Sequence, residues 1–272
     1  MATNGAYFNV ERAIWMRLHA NLKGVEITLD GSEFTHNLSR PVKAGKRGTY
    51  LDIVENLGEI LENEILANLR ISIRINLHKG NLKDVQNLLD DLAQRGFQNY
   101  DNLRLNFVPV FSWGKESDNL VASRSSLAKI ELQLQEKAYE LGFSSTIFPQ
   151  EPVKGFCKAV NRFSSVIDVD GSLYKCTEHP MVELYKERRI GDISDGPAAF
   201  NASNGYSSWI KQLEDGKVPC PECELLPVCG GVCPRQWELR KTKPCPLFAF
   251  NLPDRLTLLG KRLGLDVVKS HG

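Results

Sequence analysis

Several features that would place a chain in a special class are absent from this sequence of 272 residues. Acidic and basic residues nearly balance, giving a formal net charge of +1, so charge provides no basis for binding nucleic acid or an anionic membrane. No apolar run approaches the roughly 20 residues that span a bilayer. The first residues also lack the basic and apolar regions of a secretory signal. These absences predict a cytoplasmic protein with neither nucleic-acid nor membrane partners.

Cysteine is absent from the first part of the chain and concentrated in the second. The seven cysteines are Cys157, Cys176, Cys220, Cys223, Cys229, Cys233 and Cys245. The run from Cys220 to Cys233 has the pattern C-x2-C-x5-C-x3-C. Cytoplasmic thiols stay reduced, so this density, with an odd total, favours metal over disulfides.

Two kinds of metal site remain open on spacing alone. A tetrahedral zinc site would use the four clustered thiolates and leave the other three without a role. Two iron–sulfur clusters, with up to four thiolates each, would use all seven as four plus three. The spacing does not separate zinc from iron.

Residues 1–150 alternate strand and helix patterns, and residues 151–272 form a second predicted domain rich in proline, glycine and cysteine. Strands are predicted over 25–30, 70–77 and 103–108. Helices are predicted over 10–20, from Thr49 as a capping residue to 61, over 81–96 and over 125–141. This order predicts an α/β fold in which helical crossovers join parallel strands.

The three predicted strands each have one apolar and one polar face. A parallel strand covered on both faces is nearly all apolar, so the pattern predicts a barrel or sheet with a ligand-facing polar side. An antiparallel sheet with one solvated face is the alternative. Because sites in barrels lie at the carboxyl ends of strands, Asp30 and Asn76, with Thr28 one layer deeper, are the candidate site residues. Asp30 also precedes a glycine, as a simple turn former does.

The second predicted domain begins with a hairpin over 164–176 around a two-residue Asp170-Gly171 turn. This hairpin brings Cys157 and Cys176 to one end of the domain. A short helix is predicted over 207–213, and a final helix over about 253–263 carries Leu256, Leu259 and Leu263.

The order of the cysteines resembles the signature of the SPASM domain, a C-terminal extension of many radical S-adenosylmethionine (radical SAM) enzymes. The match runs from Cys157 through Gly171 to Cys176, then through the C-x2-C-x5-C-x3-C run to Cys245. Upstream, similarity to the middle of the radical SAM barrel rests on Thr3-Asn4-Gly5, Ile27-Thr-Leu-Asp-Gly31, His36, Arg40 and Gly48-Thr49. The resemblance covers nearly the whole chain and implies a partial radical SAM (β/α) barrel followed by a SPASM domain with a β-hairpin and short helices.

This resemblance implies two auxiliary [4Fe–4S] clusters in the second domain. The first cluster would be held by Cys157, Cys176 and Cys233. The second would be held by Cys220, Cys223, Cys229 and Cys245. The first cysteine set is incomplete, which is consistent with a substrate or another side chain completing it. Thr28 and Asp30 match the strand that approaches the nucleoside of S-adenosylmethionine, and Asn76 matches a similar position on the next strand.

The implied function is radical SAM-dependent crosslinking or oxidation of a peptide or protein, with an electron donor such as a flavodoxin or ferredoxin. Two departures bear on it. The family's C-x3-C-x2-C motif, which holds the cluster that cleaves S-adenosylmethionine, is absent, so the chain resembles an enzyme without its first half. Thr177 stands where sulfatase-maturing relatives carry an aspartate, which favours the peptide-modifying relatives.

The missing motif leaves two functional hypotheses open. In one, the chain is active together with the missing N-terminal half, and the open half-barrel exposes an apolar edge that keeps it poorly soluble until a partner covers it. In the other, it is a non-catalytic iron–sulfur or zinc-binding module for electron transfer or peptide docking.

Overall fold

The computed structural model describes residues 1–43, 48–111, 120–180, 183–201, 206, 208–239 and 244–265. Contacts divide the chain into two compact units. The described part of the first unit contains residues 1–111, 120–148 and 251–265, and that of the second lies within 149–250. The division falls close to the predicted boundary at residue 150. It differs at residues 251–265, which the sequence prediction assigned to the second domain.

A four-stranded parallel sheet lies at the centre of the first unit. Its strands are β1 (Ala2–Thr3), β2 (Gly24–Thr28), β3 (Arg70–Leu77) and β4 (Leu103–Pro109), arranged side by side in chain order. Val25 pairs with Ile71, which pairs in turn with Leu103. The predicted strands and their parallel pairing are confirmed, and the antiparallel alternative is wrong. β1 adds a strand that the sequence pattern did not identify.

Helices connect the strands and carry the apolar stripes that cover one face of the sheet. They are α1 (Val10–His19), α2 (Glu33–Ser39), α3 (Tyr50–Glu62), α4 (Val85–Gln94) and α5 (Arg124–Glu140). Leu57 and Ile60 on α3, and Leu88 and Leu92 on α4, are fully buried. Burial of such stripes is the main driving force for this unit, at about 1.5–3 kcal/mol for each large side chain.

The opposite face of the sheet is polar, as the alternation predicted. Glu26, Arg74 and Asn106 are half-buried there, on three neighbouring strands. The Arg74 guanidinium donates to Glu26 Oε1 over 3.3 Å, and Asn106 Nδ2 donates to Glu26 Oε2 over 3.2 Å. Polar groups of this face therefore satisfy one another across β2, β3 and β4.

The second unit is built from short elements. Its antiparallel sheet contains β5 (Val166–Ile167), β6 (Ser172–Tyr174) and β7 (Gly191–Asp192). Its helices are α6 (Trp209–Glu214), α7 (Leu226–Cys229) and α8 (Pro234–Leu239). The predicted hairpin is present, but its loop has three residues rather than two. Asp168 N–H donates to the Ser172 carbonyl, and Gly171, with φ of +89°, closes the loop in the left-handed region.

A final helix, α9 (Leu252–Arg262), returns to the first unit and packs on α5. Its buried residues are Arg255 and Leu258, whereas Leu256 and Leu263, two of the leucines noted in the sequence, are largely exposed. Arg255 forms a buried ion pair with Glu131 on α5 and donates to the Ile147 carbonyl over 2.6 Å. A buried ion pair and the buried Leu258 side chain together hold this helix in the first unit.

The segment after α5 continues the parallel sheet beside β4. Leu105 forms a parallel bridge with Ser145, and its N–H donates to the Ser144 carbonyl over 2.9 Å. An exposed strand edge is a site for aggregation, and this contact covers the edge at Leu105. The expectation of a long apolar edge where strands are missing stays a prediction.

Two predicted helix N-termini differ from the structure in how they are capped. Thr49 precedes α3 but makes no capping hydrogen bond, because its hydroxyl contacts His36 Nε2 at 3.2 Å. Asn81 lies four residues before α4, and its amide donates to the carbonyls of Asp30 and Asn76 over 2.6 Å each. In both cases a tertiary contact replaces the local cap.

Within the described ranges, no helix combines the length and apolarity needed to cross a membrane.

Candidate metal centres and strand-end site

Asp30 and Asn76 meet at the carboxyl ends of β2 and β3. Asp30 Oδ1 accepts from the Asn76 N–H over 3.0 Å and from Asn76 Nδ2 over 2.9 Å. Asp30 Oδ2 accepts from Arg40 Nε over 2.7 Å. The carboxylate is only 5% exposed, and both of its oxygens bind donors from this chain. Asp30 therefore clamps two strand ends and a following helix, while Thr28 lies half-buried one layer below it.

His36 supports this clamp from α2. The ring is fully buried, and its Nδ1 accepts from the Asp30 N–H over 3.4 Å. Burial lowers the pKa of His36 to about 4, and the nearby Arg40 guanidinium acts in the same direction. The imidazole is thus neutral at pH 7, the form that leaves one ring nitrogen able to accept.

Four of the seven cysteines line one pocket of the second unit. They are Cys220, Cys223, Cys229 and Cys245. Leu226 and Trp237 contribute apolar walls, and the pocket encloses about 90 Å³. That is several times the roughly 10–15 Å³ that one water requires, so the pocket has room for a polyatomic group. Burial raises the pKa of the Cys229 thiol, and the charges of Cys223 and Cys245 raise it further.

The remaining three cysteines, here called the second group, are related by electrostatics and by a second pocket. Burial raises the pKa of the Cys233 thiol, and the charges of Cys157 and Cys176 raise it further. Cys157 and Cys176 also line a second pocket of about 430 Å³, together with Phe163 and Lys175. Cys233 follows Cys229 in the sequence, yet its electrostatic neighbours are the two distant thiols at the hairpin. The local run from Cys220 to Cys233 is thus divided between two places.

Lys175, next to Cys176 in the chain, stabilises the backbone around the second group. Its side-chain ammonium donates to three backbone carbonyls, those of Arg162, Ser164 and Phe200, at 2.8, 2.7 and 3.1 Å. The residue is 4% exposed, and burial lowers its pKa. These bonds connect the end of the hairpin to the loop that follows Cys157.

His179 lies behind the same group, in a box of aromatic rings. Its ring is 1% exposed and lies within 6.5 Å of the rings of Tyr174, Tyr185 and Tyr206. His179 Nε2 is 3.3 Å from the Tyr206 hydroxyl, which donates to Glu238 Oε2 over 3.2 Å. Burial lowers the pKa of His179 to about 4, and the Arg235 and Arg188 charges contribute.

The donor chemistry of both groups suits metal, but their side chains are not arranged as a coordination shell. Among the residues that the structure describes, no group of three or more His, Cys, Asp and Glu side chains has the geometry to hold a metal ion. Four thiols around a pocket fit a zinc ion or a [4Fe–4S] cluster, whereas three thiols leave one ligand position to another group.

Comparison with known proteins adds no assignment. A scan against models of protein families gives no match, and a search of curated proteins also finds none.

Sequence reasoning found the cysteines and the strand-end residues but missed Lys175, His179 and Arg235. The C-x2-H spacing from Cys176 to His179 was a usable signal, because ligand pairs at metal sites often have it. Lys175 and Arg235 offered none, since their burial depends on loops distant in sequence.

Proposed function

We propose that this chain is the C-terminal portion of a radical SAM/SPASM-type system that crosslinks or oxidises a peptide or protein substrate. The observation that carries the proposal is the division of the seven cysteines. Cys220, Cys223, Cys229 and Cys245 line one pocket, and Cys157 and Cys176 line another. Cys233 does not line the four-cysteine pocket, and the charges of Cys157 and Cys176 are among those that raise its pKa. The family resemblance implies the same division, and it is not the division that sequence proximity alone would give.

In this proposal the second unit holds two [4Fe–4S] clusters, with Cys220, Cys223, Cys229 and Cys245 as ligands of one. Cys157, Cys176 and Cys233 are ligands of the other. When bound, these clusters supply one-electron transfer or a site for a substrate thiol. The chain's own residues bind the clusters in apolar walls and brace the hairpin through Lys175. The pocket of about 430 Å³ beside Cys157 is large enough for a substrate side chain.

The first unit supplies part of the S-adenosylmethionine site in this proposal. Thr28 and Asn76 line the polar face near the strand ends, and Asp30 holds these ends in place. The C-x3-C-x2-C motif would come from the missing N-terminal segment, on the same or another polypeptide, and electrons from a flavodoxin or ferredoxin.

The experiment is anaerobic reconstitution of the full chain with iron and sulfide, followed by iron, sulfide and zinc analysis. Two four-iron clusters predict about eight irons per chain. Cys220→Ala or Cys229→Ala should each lower the iron content by about half. One zinc with negligible iron would reject the cluster proposal, and full iron in either variant would reject the ligand assignment.

A second function is favoured by one observation, the saturation of Asp30 by donors of its own chain. An Asp30 that only clamps strands suits a non-catalytic module, in which the cysteines bind iron–sulfur or zinc for electron transfer or peptide docking. The coding sequence upstream discriminates the two. A C-x3-C-x2-C motif roughly 80–100 residues before Met1, at about 30 residues per strand–helix unit, supports the enzyme. A stop codon there, with no partner carrying the motif, supports the module.

A further inference from the structure

We propose that the outer edge of β5, together with the pocket of about 430 Å³ beside it, binds an extended acidic peptide that pairs with β5 as a fourth strand. This inference rests on the proposed function for the role of that peptide as the substrate. It adds the place and the mode of binding. The edge and the pocket belong to the same unit, and no metal enters the argument.

β5 is an edge strand of the small antiparallel sheet, whose order is β5-β6-β7. Val166 and Ile167 pair with Tyr174 and Leu173 of β6. Within the described residues, no strand pairs with the other side of β5. An exposed strand edge is a template on which another extended chain can add, through backbone hydrogen bonds.

Hydrogen bonds on either side of Ile167 show which way its backbone points. The Asp168 N–H donates to the Ser172 carbonyl over 2.9 Å. Hydrogen-bonded and non-hydrogen-bonded pairs alternate along an antiparallel ladder, so Ile167 and Leu173 form a non-hydrogen-bonded pair. The Leu173 carbonyl agrees, because it accepts from the Ile190 N–H, next to β7, over 2.8 Å. The N–H and C=O of Ile167 therefore point away from β6, to the side where a fourth strand would pair.

Large apolar side chains are exposed along the same segment. Phe163 is 78% exposed, Ile167 is 52% exposed and Val169 is fully exposed. Apolar groups gathered on an exposed surface indicate an interaction site. An added strand would cover part of this surface while its backbone pairs with Ile167.

The segment that leads into β5 is already held in place. The Lys175 ammonium donates to the carbonyls of Arg162 and Ser164 over 2.8 and 2.7 Å. The Ser164 N–H donates to the Asn161 carbonyl over 3.1 Å. A preorganised edge loses less conformational entropy when a peptide binds, which favours affinity.

The pocket beside β5 indicates the charge of the occupant. Residues 163–166 line it, and the charged side chains among its lining residues are Lys158 and Lys175, with no Asp or Glu among them. The Arg162 guanidinium lies nearby, 4.9 Å from the centroid of the Phe163 ring. Basic groups without acidic neighbours in the lining complement an anionic partner, so we assign an acidic peptide.

Ser165 provides a further polar contact in this pocket. Its Oγ is buried and has no hydrogen-bond partner in the part of the chain that the structure describes. Ser165 also lines the pocket. Buried polar atoms are nearly always paired, so a polar group of the bound peptide would satisfy this hydroxyl.

The test measures binding of a fluorescein-labelled peptide of seven alternating glutamate and valine residues to the reconstituted full chain, by fluorescence anisotropy. Two further peptides carry N-methyl groups on the odd or on the even residues. A strand that pairs along one edge uses the N–H groups of only one of these sets. One N-methylated peptide should therefore lose affinity by about tenfold, and the other should bind like the parent peptide.

Variants of the chain locate the binding. Ile167→Pro removes the outward N–H and leaves the bonds to β6, as proline does at a strand edge, so it should weaken binding by about tenfold. Ile167→Val retains that N–H and should bind like the parent chain. Lys158→Glu should weaken binding by about threefold to fivefold, whereas Lys129→Glu, on α5 of the first unit, should not change it. If Ile167→Pro does not fold, the N-methylated peptides decide.

The outcomes separate this inference from the proposed function. Equal binding of the two N-methylated peptides, or unchanged binding in a folded Ile167→Pro variant, would overturn strand pairing at β5. Tighter binding of a lysine–valine peptide would overturn the acidic occupant. A dimer that Ile167→Pro dissociates, without peptide binding, would assign the edge to a second copy of this chain and reject the proposal. Full iron without peptide binding rejects this inference alone. Peptide binding that needs the Ile167 N–H, in a chain that holds no iron, supports it while the cluster function fails.

Discussion

The two units of this chain reach a folded structure by different means. The first has strands of up to eight residues and fully buried stripes of isoleucine and leucine, such as Ile73 and Leu57. The second has strands of two or three residues, and its buried clusters include Trp209 with Cys220, and Tyr206 with Cys176. Apolar burial is the main source of stability in the first. In the second, cysteines occupy core positions, so we expect metal binding to supply the missing stability.

The largest expected effect is therefore the response to metal removal. Structural metal contributes about 10–16 kcal/mol in small domains, as measured for zinc, and binding counts directly as folding free energy. Without metal, amide exchange should become fast over 157–176 and 219–239, while β3 and α4 stay protected. Hydrogen-exchange mass spectrometry of the metal-free and reconstituted chains measures this difference.

The reconstituted chain itself is the control, because only the second unit should change between the two states. Equal protection of residues 157–176 with and without metal would break the comparison. The second unit would then be stable through its own small clusters, and its cysteines would be ligands without a structural role.

The next-largest effect concerns the first unit. Within the part of the chain that the structure describes, one buried ion pair joins α5 and α9. Glu131→Ala leaves the Arg255 guanidinium, 2% exposed, without its carboxylate. Breaking such a pair costs about 3–5 kcal/mol, which urea denaturation of the chain would detect. The first unit thus depends on charge at one contact, in addition to apolar burial.

The same two helices provide a matched control. Glu136 and Lys261 also pair between α5 and α9, but their side chains are 46% and 58% exposed. Glu136→Ala should cost less than about 1 kcal/mol. Replacing both Glu131 and Arg255 by methionine should recover much of the loss, since no charge is then left buried. Equal losses from the two alanine variants would show that burial of the pair is irrelevant.

The effects so far also show what sequence predicts about such a fold. The alternation of apolar and polar residues located β2, β3 and β4. Successive side chains of a strand point to opposite faces of the sheet, so a strand with one buried face shows this pattern in its own sequence. α9 was located too, but its buried arginine was not. Its buried Arg255 finds Glu131 across 124 residues, and no local pattern encodes that pairing. Thr49 failed as a cap for a similar reason, since His36 from another helix takes its hydroxyl.

The site was predictable in composition but not in arrangement. Spacing favoured metal binding by the cysteines, and only the family resemblance separated Cys233 from Cys229. His179 was visible as C-x2-H beside Cys176, but its significance needs the aromatic box and the Tyr206 hydroxyl. The buried ammonium of Lys175 is held by three backbone carbonyls from two loops, and the geometry of those loops cannot be read from residue types.

A smaller effect, on the order of 3 kcal/mol, is the pH dependence of the first unit through His36. The folded pKa of about 4 lies below the ordinary 6.5, so the unfolded chain binds more protons between these values. Stability is therefore fully present above pH 6.5 and falls as pH decreases towards 4. Amide exchange of β2 and β3 across this range measures it. His36→Gln should flatten the dependence, and an unchanged slope in that variant would assign it to other groups.

The smallest expected effect concerns the backbone geometry of the second unit, for which we expect metal to supply most of the stability. Gly171 has φ of +89°, and an added Cβ would lie 3.2 Å from Ile193 Cγ2. Gly171→Ala should cost about 1–2 kcal/mol from the left-handed backbone, with crowding in addition. Gly196→Ala has φ of +78° in open space and isolates the strain, whereas Gly155→Ala, without left-handed φ or close atoms, should be neutral or slightly stabilising. Urea midpoints of the metal-bound chain should therefore fall in the order Gly155→Ala, Gly196→Ala, Gly171→Ala. Three equal midpoints would mean that metal alone determines the stability of the second unit, and the hairpin loop would then be a consequence of cluster binding rather than a cause.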